Sequence, residues 1–449
     1  MAETAENSPV RRLREAMGSG RMRPVRSALQ ALNPAEIAGV LSALPLPERL
    51  LLWEMVDHED DGEVLLHLPE EIRADLVQRM DTVELVKAAG DLEIDDLADL
   101  IDGLPETVTR QVMQALSAAD RARLEAVLAY EADSAGGLMN TDIVTVRADV
   151  TLEVVVRYLR LRGDLPLHTD ALFVVDRYGS YLGTLSLERV LTRDPESTVA
   201  EVMDRELEAL HVDLPADEVA RQFANSDLVS APVVTRDGRR LVGRITIDDV
   251  VDVIRAEGEK TFLSMGGLRG EEDLFAPVGK AARRRAVWLG INLMTAFIAS
   301  YVVGLFEVTI SEVVALAVLM PVVASMGGIG GSQTLTLMIR GLALKQVGDG
   351  NTATLLRKEV LVALINGLLW AVAVAAIAWL WFGSGKLSLV IAMALVINQT
   401  IASLAGIFVP LTLERIGVDP ALAGSVVLTT VTDVVGFFSL LGLGALILM

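Results

Sequence analysis

Residues 420–449, PALAGSVVLTTVTDVVGFFSLLGLGALILM, carry a single charged residue, Asp433, near the middle of the stretch. About 20 apolar residues in helical form cross a hydrocarbon core about 30 Å thick, so this segment is long enough to span a membrane. An aspartate at that depth costs about 2.5–3.5 kcal/mol on insertion scales, which makes it a functional candidate. The alternative is a carboxylate satisfied by the neighbouring hydroxyls of Thr429, Thr430 or Thr432.

Four further apolar stretches lie upstream, at 286–306, 313–339, 360–385 and 387–413. Soluble helical cores rarely repeat such lengths five times, so the last third reads as a five-span membrane domain. Arg283, Arg284 and Arg285 precede the first span. Arg340, Lys345, Arg357 and Lys358 separate the second from the third, and Arg415 separates the fourth from the fifth. The other two connections hold Glu307 and Glu312, or only Lys386. Basic residues favour the cytoplasmic side, so the expected topology has the N-terminus inside and the C-terminus outside a plasma (inner) membrane. The polar start with Arg11, Arg12 and Arg14 lacks a secretory leader pattern, and the front part is expected in the cytoplasm.

Five spans are few for a solute pathway in one chain, and a homodimer with a pore on its two-fold axis is the economical arrangement. Two Asp433 carboxylates would then face each other as an oxygen-only, doubly negative site. That chemistry suits a hard divalent ion, and Mg²⁺, which sheds water reluctantly, can be held through its hydration shell. The second span contains Pro321 and the run Met326-Gly-Gly-Ile-Gly-Gly-Ser-Gln333. One reading is a broken helix lining the pore with carbonyls, since irregular backbone at membrane depth needs protein or a water-filled cavity around it. The other is close helix packing through small residues. Gly328 and Gln333 of this span join Thr429 and Thr430 as expected pore lining, while Asn366, Asn398 and Gln399 serve as lining or as interhelical hydrogen bonds.

The 449 residues are 52% hydrophobic with a formal net charge of −21, and the acid is concentrated in the first two thirds. Such a front part excludes nucleic acid and suits cations. There is no cysteine, and His58, His67, His168 and His211 all precede the apolar third. Thiolate chemistry and a soft-metal site within the spans are therefore excluded. With one mid-span acid there is no acid–base pair for hydrolysis, so the chain is not expected to be an enzyme.

Residues 27–130 show short amphipathic helices. The string Pro34-Ala-Glu-Ile-Ala-Gly-Val-Leu-Ser-Ala-Leu-Pro45 returns as Ile94-Asp-Asp-Leu-Ala-Asp-Leu-Ile-Asp-Gly-Leu-Pro105, with Leu68-Pro69-Glu70 between. The repeat predicts an α-solenoid of helical hairpins with proline in the first turns. Its acids form either a solvated face or a weak divalent site. Residues 138–200 and 201–256 each hold an apolar β run, a turn and a closing helix. The first has Ala171–Asp176, Gly179 and Leu182–Ser186; the second has Ala231–Val234, Asp237-Gly238 and Val242–Asp249. The pair resembles tandem α+β CBS domains, which often bind adenine nucleotides. Gly243, Thr246 and Asp249 fit the signature for that binding, with Arg244 in an apolar position; ATP or a similar nucleotide is the implied ligand, and a purely structural turn is the alternative.

From about residue 27 to the end, the chain resembles the MgtE family of magnesium channels. The resemblance rests on Asp133-Ser-Ala-Gly-Gly-Leu-Met139, Thr246-Ile-Asp-Asp-Val-Val-Asp252, Asp419-Pro-Ala-Leu422 and Thr429-Thr-Val-Thr-Asp433-Val-Val-Gly436. It implies a variable segment 1–26, a helical N domain at 27–136, CBS domains at 137–200 and 201–256, a connecting or plug helix at 257–282 and a membrane domain at 283–449. It further implies that Asp433 binds Mg²⁺ in the pore and that Asp227, Asp249, Asp252 and Glu257 bind regulatory Mg²⁺ that closes it. Three positions depart from the family: Ile329 replaces an asparagine of the second-span motif, and Lys260 and Thr261 stand where acids are usual. The lysine predicts weaker Mg²⁺-dependent closure. Transport of Co²⁺ or Mn²⁺ is the rival within the same class, and a membrane-anchored nucleotide or metal sensor without flux is the rival outside it. An anchor needs neither Asp433 nor the glycine-rich second span.

Overall fold

The computed structural model describes Leu13 and residues 22–90, 92–104, 106–268, 273–348 and 350–449. Most of the 1–26 segment, Pro105 of the repeat, and residues 269–272 of the connecting segment lie outside the described residues. The chain divides into two compact units. One runs to Glu259 and takes in 273–276; the other comprises 260–268 and everything from Pro277.

Among the described residues the first unit begins with nine short helices: α1 Met22–Leu29, α2 Pro34–Ser42, α3 Leu46–Trp53, α4 Asp61–Leu66, α5 Glu70–Val77, α6 Thr82–Gly90, α7 Ile94–Asp102, α8 Glu106–Ala115 and α9 Ala118–Val127. Their starts are encoded locally. Asn33 and Glu36 form a reciprocal cap at α2, side chain to backbone at 2.8 and 3.0 Å, which satisfies two otherwise orphaned N–H groups. Pro45 and Pro69 are the N-cap residues of α3 and α5, one place before the first turn that the sequence suggested. Alternate helices stack, α2 on α4, α6 on α8 and α7 on α9, the layering expected of a solenoid.

Two small sheets follow, each with a parallel and then an antiparallel pairing. β1 Thr145–Arg147, β2 Ala171–Val175 and β3 Tyr181–Ser186 form one; β4 Leu210–His211, β5 Ser230–Val234 and β6 Leu241–Thr246 form the other. Their helices are α10 Leu152–Arg162, α11 Leu187–Thr192 and α12 Val199–Val202 in the first copy, then α13 Ala216–Ser226 and α14 Ile247–Met265 in the second. Register slips at the same place in both, between Val174 and Val175 and between Val233 and Val234, so the copies share a bulge as well as a pattern. They also exchange lead-in segments. Asp204 pairs with Thr184 of the first sheet, and Asn140 pairs with Arg244 of the second. Gly183 and Gly243 make room for this: a Cβ at Gly243 would stand 2.9 Å from the Asn140 carbonyl. One apolar core joins helices and second copy, from Leu41, Leu52 and Leu97 to Phe223 and Ile245. The first copy has its own, around Val146, Leu172 and Leu185.

The second unit holds five helices of spanning length: α15 Val278–Gly304, then after the short α16 Glu307–Glu312, α17 Ala315–Ala343, α18 Thr352–Phe382, α19 Gly385–Arg415 and α20 Pro420–Leu448. α19 is the centre, packed against α17, α18 and α20. The expected break in the second span is absent: α17 continues through Pro321 and all four glycines. The glycines serve approach instead. A Cβ at Gly327 would collide with the Asn398 amide and one at Gly330 with Gln399, while one at Gly331 would lie 2.9 Å from Leu428. Small residues that let helices close up without interrupting the backbone ladder account for the run.

Candidate functional site

Asp433 lies midway along α20, half-buried. Among the described residues no hydrogen bond or ion pair engages its carboxylate. The hydroxyls that might have satisfied it turn back to their own helix: Thr429 donates to the Ser425 carbonyl at 2.8 Å, Thr430 to Val426 at 2.7 Å and Thr432 to Thr429 at 3.0 Å. Gly436, one turn along, packs against Asn398 and Val323, which fixes this face of α20 on α17 and α19. Asn398 is fully buried. Its amide donates to the Val323 carbonyl at 2.9 Å, and its Oδ1 has no partner among the described residues. Of the other expected lining residues, Thr429 and Gln333 are exposed on the unit's surface, and Thr430 and Gly328 are half-buried. Space is open beside the Gly328 Cα. Asn366 is exposed, and Ile329, at the departure from the family motif, is 57% exposed.

A second carboxylate escaped the sequence reading. Glu359, in the first turns of α18, is 5% exposed. It meets Lys358 at 3.1 Å and the Thr334 hydroxyl at 3.4 Å, and it borders a cavity of about 360 Å³ that includes Met338, Asn351 and Leu355. Its place beside Arg357 and Lys358 made it look like part of a solvated loop.

In the first unit a group of acids gathers where α7 meets α14. Asp95, Asp96 and Asp99 of α7 and Asp249 and Asp252 of α14 line one cavity of about 210 Å³. Burial, then the charges of Asp95 and Asp248, push Asp249 up to about 8. Burial and the neighbouring Asp95, Asp99 and Glu93 bring Asp96 to about 7, and burial with Glu93 brings Asp95 to about 6. Each carboxylate thus resists ionising beside the others, and a divalent cation would relieve all of them. Among the described residues no three carboxylate or imidazole groups are gathered as a ready metal cage. The Asn140 amide donates to Glu93 and, at 3.2 Å, to Asp95.

Of the expected regulatory acids, Asp249 and Asp252 meet in this cavity. Glu257 is exposed farther along α14, and Asp227 sits at the exposed left-handed C-cap of α13, outside the lining. The α7 acids were left open between a solvated face and a weak divalent site, because nothing local announces a partner some 150 positions away. The nucleotide residues are committed to other contacts. The Thr246 hydroxyl donates to Asp248 and, at 3.1 Å, to Asp249. Gly243 lies under Met139 and Asn140. The buried Arg244 reaches the Leu167 carbonyl at 2.5 Å.

In the second unit, Gly267 just beyond α14 has φ +75° and packs under the Trp288 ring of α15.

Three families match in chain order. The intracellular N domain of MgtE covers residues 32–133, the CBS domain covers 135–196 and 199–256, and the family described as divalent cation transporter covers 320–443. The magnesium transporter MgtE of Thermus thermophilus is 32% identical over 97% of this chain and 98% of its own length. That of Bacillus subtilis is 25% identical over 94% of each. A crystal structure of the cytosolic domain of the Mg²⁺ channel MgtE in complex with ATP is also similar, at 33% identity and a TM-score of 0.49, covering 54% of this chain and 99% of that one.

Proposed function

This chain belongs to the MgtE family of magnesium transporters, and on that premise we propose that it conducts Mg²⁺ as a homodimer, past two Asp433 carboxylates on the two-fold axis, under control of divalent ions at the α7–α14 acid cluster. It is a multi-pass membrane protein that moves magnesium, and its role is transport rather than catalysis. The observation that carries the pathway is the Asp433 carboxylate, half-buried at mid-span with its neighbouring hydroxyls turned away. Two such groups across an axis attract a hydrated divalent ion without stripping it.

Regulation follows from the acids. At low cytoplasmic Mg²⁺, like charges on α7 and α14 repel and the N domain loosens from the CBS pair; bound Mg²⁺ neutralises them and closes the pore. α14, which bears Asp249 and Asp252, continues past the first unit to Met265. The basic loops support a cytoplasmic N-terminus in the plasma (inner) membrane. Mg²⁺ uptake into vesicles containing the purified protein, with Co²⁺ as competitor, tests the reading. Saturable Mg²⁺ entry is expected, and Co²⁺ or Mn²⁺ entry that outruns it would contradict the assignment.

A further inference from the structure

One long-range contact in the first unit joins two residues that the acid cluster does not use. Arg49 of α3 is 0% exposed. Its guanidinium grips the Asp273 carboxylate with both ends, Nη1 to Oδ2 at 2.8 Å and Nη2 to Oδ1 at 3.0 Å. It also donates to the Leu41 carbonyl at 2.9 Å and the Leu44 carbonyl at 3.0 Å. The Asp273 side chain is 4% exposed. Its own backbone N–H donates to the Glu71 carboxylate at 3.0 Å, and its Oδ1 accepts from the Phe275 N–H at 2.9 Å. Asp273 lies four positions before Pro277, the N-cap of the first span α15.

A passive linker is solvated and tolerates change. This one delivers a carboxylate into a pocket where a guanidinium would otherwise be buried unpaired, a costly state. Two-pronged pairing adds geometric specificity to the attraction. Arg49 and Glu71 belong to different helices of the N domain, so the lead-in is fixed at side chain and backbone together.

We propose that Arg49 and Glu71 hold Asp273 as a strap through which the N domain positions the lead-in to the first span, a coupling separate from the path along α14. The inference rests on the gating reading above. When Mg²⁺ leaves the acid cluster and the N domain moves, the strap carries residues 273–276 with it and passes that displacement to α15. Arg49 is a positioning residue that acts through Asp273. Asp273 is the cleaner position to change, because Arg49 keeps both backbone carbonyls when the carboxylate is removed.

The test uses the full chain in vesicles, with Mg²⁺ flux measured against graded cytoplasmic-side Mg²⁺ and amide exchange followed over 273–276 in the same samples. Asp273→Asn is expected to raise the Mg²⁺ needed for half-closure roughly fivefold or more, the range of ordinary coupling energies, and to abolish protection of 273–276. Asp273→Glu is expected to recover part of both. The chain has no native cysteine, so Glu71→Cys with Asp273→Cys can be bridged by a short bifunctional thiol reagent. Loosened closure in the unbridged protein and restored closure after bridging support the strap, since a flexible tether repairs a mechanical link and not a folding defect. If wild type closes with Mg²⁺ and Asp273→Asn closes identically, the strap is refuted. If wild type flux ignores Mg²⁺, the gating reading fails, and exchange alone decides the strap: protection of 273–276 matching the N domain supports it, and an unprotected segment overturns it.

Discussion

Asn398 donates its side-chain amide to the Val323 carbonyl at 2.9 Å, and the Gly327 Cα lies directly against that amide. The hydrogen bond ties α19 to α17 at membrane depth, and the absence of a side chain at 327 is what lets it form. Gly327→Ala forces the amide aside and is expected to cost about 1–3 kcal/mol, the usual range for overpacking. Gly328→Ala meets nothing within 4 Å and is expected to leave stability unchanged or slightly improved by helix propensity. Thermal unfolding in detergent compares the two. Equal midpoints would contradict this account of the glycine run.

The acid cluster gives the first unit a definite pH dependence. Burial and mutual repulsion hold Asp249 near 8, Asp96 near 7 and Asp95 near 6, against about 4 in an unfolded chain. The folded state therefore binds more protons than the unfolded state between about pH 4 and pH 8. Stability is greatest at the acid end of that window and falls as pH rises through the folded values. Without divalent cations, the unfolding midpoint of the cytoplasmic transition should drop steadily across this range. Saturating Mg²⁺ should flatten the slope, because the bound ion replaces the protons. A midpoint independent of pH in the absence of Mg²⁺ would refute the cluster as described.

Lys260 stands on α14, eight residues after Asp252, with Glu257 between and Thr261 beside it. A fixed positive charge there competes with Mg²⁺ for the same carboxylates. Lys260→Glu with Thr261→Glu should lower the cytoplasmic Mg²⁺ for half-closure by roughly fivefold, a coupling of ordinary size. Flux recorded against cytoplasmic Mg²⁺ checks it, and an unchanged curve would remove the lysine from the closure mechanism.

Much of this architecture could be read from the chain. Hydropathy located all five spans, and the helices run past the apolar stretches where interfacial charges continue the turn, as at Val278–Arg285 before the first span and Thr352–Lys358 before the third. The duplicated β pattern announced both sheets. Asp433 was legible because a lone charge at mid-span has a cost that needs a reason.

What escaped depends on partners far away in sequence. The glycine run of α17 suggested a break, since its Asn398, Gln399 and Leu428 neighbours lie on other helices. The sequence leaves Asp95 and Asp96 open between a solvated face and a weak divalent site, because Asp248, which acts on Asp96, and Asp249, on which Asp95 acts, lie far along the chain on α14. Asp273 falls within the connecting helix expected at 257–282, where the backbone at 273–277 is not helical, and only the fold brings it to Arg49. Glu359 stands next to Arg357 and Lys358, one residue before the apolar stretch at 360–385, and only the fold shows it buried.

The central claim is that paired Asp433 carboxylates admit hydrated Mg²⁺ to the middle of the membrane. Radiotracer or dye-reported Mg²⁺ entry into vesicles, comparing wild type with Asp433→Asn at matched protein and matched thermal stability, tests it most directly. The account predicts loss of most saturable entry when the charge is removed without changing side-chain size. Undiminished, saturable Mg²⁺ entry through Asp433→Asn would contradict it.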